Sequence, residues 1–162
     1  MSIPRVIDAP RSSAHAHTDH RPAPLARALW IWGPAIALMV AIFGASSIPD
    51  LQASPAGLSD KTVHALVYGL LGALVLRAVT RAEWAGVTLV AALAAALISG
   101  LYGVTDELHQ GFVPGRTTEA LDMVADVVGA SGAAGVIWAW SIIRASRREQ
   151  KVHPPRLPRP PL

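Results

Sequence analysis

Trp84-Ala-Gly-Val-Thr-Leu-Val-Ala-Ala-Leu-Ala-Ala-Ala-Leu-Ile-Ser-Gly-Leu-Tyr102 runs without a break into Gly103-Val-Thr-Asp-Glu-Leu-His-Gln-Gly-Phe-Val-Pro-Gly-Arg-Thr-Thr118. The first run carries no charge and matches the roughly 20 residues a helix needs to cross a bilayer core. The second places Asp106, Glu107, His109, Gln110 and Arg116 directly at its end. An apolar chain has little solubility reason to gather ionisable groups there. The first run decides the fold class, and the second marks the expected working part.

The rest of the chain agrees. Of its 162 residues, 52% are hydrophobic and 15% charged, against about 25% charged in a soluble domain. The apolar residues fall in blocks, which points to a membrane protein. There is no cysteine, so disulfides, thiolate metal sites and a cysteine nucleophile are excluded. The sequence pI is about 10.0. Its basic residues, however, lie in tails and short loops beside apolar blocks, which fits membrane topology and argues against a nucleic-acid partner.

Residues 1–27 have no hydrophobic period and read as a disordered tail, with His15, His17 and His20 in a solvated stretch. Ala28 to Ala45 is the first span. The long preceding tail, with Asp8 and Asp19, reads it as a retained helix rather than a cleaved signal. Pro34 is read near its start, where a missing N–H costs least. A loop follows, and Ser59 or Asp60 can cap a second helix from Lys61 to Val79. Lys61, His64 and Tyr68 fall on one face of it, flanked by Asp60. Thr80 to Glu83 reads as a short turn. Ser99, Tyr102 or Gly103, Asp106 and Gln110 continue one stripe out of the third span, which carries the helix into the polar stretch. Pro114-Gly115 fits the centre of a type II turn. Thr117 or Thr118 can cap the fourth span, Leu121 to Ile143. On it Asp122, Asp126, Gly129 and Ala133 make a polar-then-small stripe suited to close packing. Gly132 and Gly135 read as further packing contacts, and Tyr102 as an interfacial anchor. Residues 144–162 form a basic, Pro-rich stretch expected to be disordered. The expected fold is thus all-α: an integral membrane bundle of four transmembrane helices over residues 28–143, between disordered tails.

With four spans, both tails and the middle turn share a side. That side holds Arg27, Arg77, Arg81, Arg144, Arg147, Arg148 and most other basic residues, while the opposite side holds Lys61 and Arg116. Basic residues favour the cytoplasmic side, so the expected topology is N-in, C-in. Trp30, Trp32, Trp84, Trp138 and Trp140 lie toward those cytoplasmic ends. Asp50, Asp60, Lys61, His64, the 106–116 stretch, Glu119 and Asp122 then face outward, with Asp126 about one turn deeper.

Ser46-Ser-Ile-Pro49, Asp60-Lys-x-x-His64-x-x-x-Tyr68, Asp106-Glu-x-His-Gln110, Pro114-Gly-Arg116, Asp122 and Asp126-x-x-Gly129, as an ordered set, resemble the VanZ-like family of small bacterial membrane proteins. The resemblance covers roughly Ile31 to Trp140 and omits the tails. The family takes its name from a member linked to low-level resistance to the glycopeptide teicoplanin. What the resemblance implies is a protein of the bacterial cytoplasmic membrane with a role in glycopeptide susceptibility. It supplies no mechanism and no cofactor.

Three readings of the polar residues stay open. In the first, the site is an enzyme's, acting on a lipid-linked or cell-wall substrate. Glu107 or His109 is then a general base, His64 a second acid or base, and Lys61 and Arg116 hold an anionic head group. Asp60, Tyr68, Gln110, Asp122 and Asp126 line it, and Asp106, His109 and Asp122 offer N and O ligands to a divalent metal. In the second, the same groups bind a ligand without chemistry. In the third, they are a structural ion-pair network in a membrane scaffold. Two features speak against the third. The outward region is rich in acids, and an intramembrane acid such as Asp126 is costly unless paired or used. The expectation that separates the readings is convergence. His64, Asp106 or Glu107, Arg116, Asp122 and Asp126 should form one cluster, with Arg116 turned back over the acids and paired with at least one of them.

Overall fold

The computed structural model describes residues 23–49 and 57–152. They form four helices, α1 (Pro24–Ser46), α2 (Asp60–Val79), α3 (Leu89–Gln110) and α4 (Ala120–Val152), with no strand among the described residues. All four are long and apolar enough to cross a membrane. Side-chain contacts fix their directions. His64 and Gly69 of α2 meet Asp126 and Ala133 of α4 in the same order, so these two helices run parallel. Tyr102 and His109 of α3 meet Met39 and Ser47 of α1 in the same order. The bundle therefore runs up, down, up, down, with α2 against α4 as its most extensive packing.

Helix ends follow local chemistry. Ser59 caps α2, its hydroxyl accepting the Thr62 N–H at 3.2 Å. Thr88 does the same for α3 through the Ala91 N–H at 3.1 Å. The third helix thus starts at Leu89, not Trp84, and the expected four-residue turn is a longer connection over residues 80–88. Arg81 and Ala82 take positive φ there (53° and 64°), as does Gly86 (74°). The helix runs on to Gln110 and so carries the Asp-Glu-Leu-His-Gln stretch, as its stripe foretold. After it, the Arg116 N–H bonds the Val113 carbonyl at 3.1 Å and Gly115 has φ 76°, a type II turn with glycine where φ must be positive.

α4 continues nine residues past the expected boundary at Ile143. Arg144 to Val152 contains no glycine or proline, so nothing in it stops a helix. Residues 1–22, 50–56 and 153–162, with Asp50, the tail histidines and most of both expected tails, lie outside the described residues. α1 begins at Pro24, which takes the first-turn place. Pro34 is therefore interior rather than near the start. A proline there leaves the carbonyl four residues earlier, Trp30, without its helical N–H. Arg77 of α2 supplies the missing donor, its Nη1 reaching the Trp30 oxygen at 3.0 Å and the Ile31 oxygen at 2.9 Å. Its guanidinium also lies 4.3 Å from the Trp30 ring centroid, a cation–π contact.

The packing is inside-out relative to a water-soluble bundle. Leu66, Leu93, Leu97, Leu101, Val128 and Val136 are exposed, each by more than half its surface. Such a continuous apolar exterior suits lipid. Inside, Ala35, Leu71, Val75, Leu76, Ala92, Ala95 and Ala134 form an apolar core in the half toward the basic ends. Lipid tails are as apolar as leucine, so close approach rather than hydrophobicity must hold the helices together. Glycine provides it. A Cβ on Gly72 would come within 2.7 Å of the Ala130 carbonyl oxygen, and one on Gly129 would overlap the Ala65 carbonyl. A Cβ on Gly132 or Gly135 would meet nothing within 4 Å, so these two are not the packing contacts expected of them. Tyr102 is likewise no free anchor: its hydroxyl donates to the Met39 carbonyl at 2.6 Å, tying α3 to α1.

Candidate functional site

The other half of the interior is polar. It lies where α2 and α4 begin and α3 ends. Asp106, Glu107, Gln110, Asp122 and Asp126 are buried there, with Glu107 and Asp126 fully so. Each is inward for a helical reason. Ala92, Ala95, Ser99, Gly103, Asp106 and Gln110 form the buried stripe of α3. Asp122, Asp126, Ala130 and Ala134 form that of α4 at four-residue steps. Gly103 makes room for Asp126, since a Cβ on it would lie 2.8 Å from Asp126 Oδ2.

His64 is the centre. Its Nδ1 lies 2.9 Å from Asp126 Oδ1 and 3.9 Å from Glu107 Oε1, so one ring nitrogen faces two buried carboxylates on two helices. Tyr68 lies one turn deeper, its ring parallel to that of His64 (5°, centroids 6.4 Å apart). Glu107 is held from three directions. The backbone N–H of Glu119 donates to its Oε2 at 3.2 Å, so a side chain of α3 takes up a donor at the start of α4. The Gln110 amide donates to its Oε1 at 3.3 Å and to Asp106 Oδ2 at 3.2 Å. His64 is the third neighbour.

Arg116 turns back over the site, and a contact it makes there is to an amide, where an acid was expected. Its Nη2 donates to Gln110 Oε1 at 2.7 Å, which links the guanidinium to both acids through one amide. Lys61 stands at the rim, 2.9 Å from Glu119 and 3.3 Å from Asp122. Asp60 is exposed, with a carboxylate oxygen within 4.8 Å of ligand atoms of His64 and Asp122. His64, Glu107, Asp106, Gln110, Arg116, Lys61, Asp122 and Asp126 thus form one connected cluster.

His109 is not in it. Two residues past Glu107, it sits about 200° round the helix. Its Nε2 lies 3.0 Å from Ser47 Oγ, and its ring stacks on Phe43 with centroids 4.4 Å apart. The structure therefore gives His109 to the α1–α3 contact and not to the acids. The expected metal trio of Asp106, His109 and Asp122 is not brought together. Among the described residues, the groups whose ligand atoms all lie within 4.8 Å are Asp60–His64–Asp122 and His64–Glu107–Asp126.

Sequence reasoning passed over three contributors. Glu119, expected only to face outward, pairs with Lys61. They are 58 residues apart, so no local spacing could show it. Ser47 as the partner of His109 was equally hidden. Gly103 left a trace, a residue without a side chain in a stripe that turns polar one turn later.

Several buried atoms in this half have no hydrogen-bond partner among the described residues. They are the hydroxyls of Tyr68 and Ser99, Asp106 Oδ1, Asp126 Oδ2 and Asp122 Oδ1, the last with the Lys61 ammonium 3.3 Å away. Buried polar atoms are normally paired, and each exception calls for an explanation. A network evolved only to pair its own charges would leave few.

The VanZ/LLP1 family model matches residues 24–144, from the start of α1 through most of α4. No curated protein and no solved structure matches the chain. The chain belongs to the VanZ/LLP1 family and is a multi-pass membrane protein.

Proposed function

We propose that this member of the VanZ/LLP1 family is a bacterial envelope protein whose polar end binds, or acts on, a lipid-linked or cell-wall ligand. The proposed topology has both termini cytoplasmic and the polar end on the outer face of the cytoplasmic membrane. It rests on the gathering of Arg77, Arg81, Arg144, Arg147, Arg148 and the tryptophans at the other end. The four-helix unit is the working domain, and the flanking tails are accessory. One observation carries the functional reading. Side chains from α2, α3 and α4 converge on His64 while buried polar atoms around it remain unspent. In this reading Glu107 and the His64–Asp126 pair are the acid–base groups. Lys61 and Arg116 meet an anionic head group at the rim, where their donors suit phosphate or carboxylate oxygens. His109 serves the site indirectly by fixing α1 against α3. An influence on teicoplanin susceptibility would follow if the ligand is a precursor that the drug also engages.

The competing reading, a scaffold without a ligand, draws on the Lys61–Glu119 and Lys61–Asp122 pairs, which tie α2 to α4 at the rim. A deletion strain decides between them. Its lipid and cell-wall precursor profile and its teicoplanin susceptibility should differ from the parent. Wild type should restore both, and Glu107→Gln, made to the same level in the membrane, should not. Full restoration by Glu107→Gln would leave the scaffold reading standing. A reporter fused after Arg148 should behave as cytoplasmic and one inserted near Gly57 as extracytoplasmic; the reverse would overturn the orientation.

A further inference from the structure

We infer that His64, Glu107 and Asp126 form a binding site for one divalent transition-metal ion, a proposal that rests on reading the polar end as a working site and gives these three residues a ligand role in place of the acid–base one. The donor set comes first. His64 Nδ1 faces Asp126 Oδ1 at 2.9 Å and Glu107 Oε1 at 3.9 Å. An ion at about 2.1 Å from N and O ligands sets them roughly 3.0 to 3.4 Å apart, so the closer pair need only open slightly and the wider one close. One imidazole and two carboxylates, with no thiolate anywhere in the chain, suit zinc or manganese rather than a soft ion. A neutral imidazole and two carboxylates also carry two negative charges, which a divalent ion cancels. In a low-dielectric interior that cancellation favours keeping both acids ionised.

The surroundings hold the donors as a metal site requires. The Glu119 N–H holds Glu107 Oε2 at 3.2 Å and so leaves Oε1 toward His64, where the Gln110 amide also reaches it at 3.3 Å. The Tyr68 ring lies parallel to the His64 ring. An observation outside the donor distances points the same way. The Tyr68 side chain is 1% exposed, and its hydroxyl reaches toward Asp106 without closing a well-formed hydrogen bond. Asp126 Oδ2 is likewise buried and unpartnered. These are the second acceptor and the nearby donor that a bound ion and its water would use.

The alternative set, Asp60–His64–Asp122, is weaker. Asp60 is exposed, and Asp122 is already 3.3 Å from the Lys61 ammonium, a cation that a metal ion would have to displace. The two sets make different predictions, which gives the test its control.

The full chain, purified in detergent and stripped with a chelator, is titrated with Zn²⁺ and with Mn²⁺ by calorimetry while its helix content is followed. The wild type should bind about one ion per chain and gain thermal stability as it does. Asp126→Asn and Glu107→Gln should each weaken binding at least about tenfold, while Asp60→Asn should not. If a variant fails to fold, the Mn²⁺-loaded wild type still decides: its electron spin resonance should show hyperfine coupling to one imidazole nitrogen, absent from His64→Gln. Overturning results are a folded wild type that binds neither ion, wild-type affinity in both Asp126→Asn and Glu107→Gln, or loss on Asp60→Asn alone. The functional reading fails separately. A bound ion with full complementation by Glu107→Gln would keep the metal and discard the function; failed complementation without any ion would do the reverse.

Discussion

The bundle has two halves built on opposite principles from the same helices. Toward the basic ends, Leu71, Val75, Leu76, Ala92, Ala95 and Ala134 pack without a buried charge, and Gly72 lets α2 touch the α4 backbone. Toward the other end, α2, α3 and α4 meet through His64, Glu107, Asp126 and their partners, with buried atoms left unsatisfied. The first half secures adhesion by contact area and small residues, the means available where lipid competes for every apolar surface. The second half is an expensive way to join helices. Burying ions costs several kcal/mol each, and apolar residues of similar volume often hold a fold as well or better. The difference teaches that apolar packing and buried polarity are segregated along the bundle. The apolar half holds the helices together; the polar half carries the proposed site.

That segregation can be broken most severely at the glycine contact. Gly72→Leu should destabilise by on the order of 3 kcal/mol, because the Ala130 backbone cannot retreat as a flexible side chain would. The expected outcome is little monodisperse protein in detergent. A well-folded Gly72→Leu variant would show that the halves are not divided as described.

Next in size is the opposite experiment. Asp126→Asn keeps an oxygen for His64 but removes a charge from the acid-rich end. With both proteins stripped of metal, its melting temperature should stay at or above wild type, while complementation of the deletion strain should fall about tenfold or more, the scale of losing a functional hydrogen-bonding partner. A large loss of stability with function intact would move Asp126 to the structural side.

The contact between α1 and α2 sharpens the comparison on a smaller scale. Arg77→Ala should cost about 1–2 kcal/mol, because it leaves the carbonyl freed by Pro34 without a donor. In a Pro34→Ala background the Trp30 carbonyl recovers its helical N–H, so the cost of Arg77→Ala should drop by about 0.5 kcal/mol or more. Equal costs in the two backgrounds, measured by thermal unfolding, would mean that Arg77 acts through the Trp30 ring alone.

The smallest effect is expected at Thr88→Ala, about 1 kcal/mol from the lost cap on α3. It should leave function unchanged, because the cap lies in the stability half. Hydrogen exchange of the Ala91 amide is the direct readout.

Much of this was legible without coordinates, and the reason is that it is local. Apolar run length sets the number of helices. The spacing of Ser99, Asp106 and Gln110 shows the buried stripe of α3, and the spacing of Asp122 and Asp126 shows that of α4. Ser59 as a cap and Pro114-Gly115 as a type II turn depend on neighbours within four residues. Sequence alone also placed the polar groups at one end of the bundle, because helix direction alternates along the chain.

Tertiary structure decided what depends on pairs far apart in sequence. It gave His64, rather than His109, to the acids, because α1 occupies the side of α3 where His109 points. It set Gln110 between Arg116 and both acids, put the Glu107 carboxylate at the start of α4, and joined Arg77 to the carbonyl that Pro34 releases. Helical periodicity says which residues share a face. Which neighbour that face meets is settled only when the helices pack, because rotation and register are chosen by contacts such as Gly129 on Ala65, which one helix cannot specify by itself.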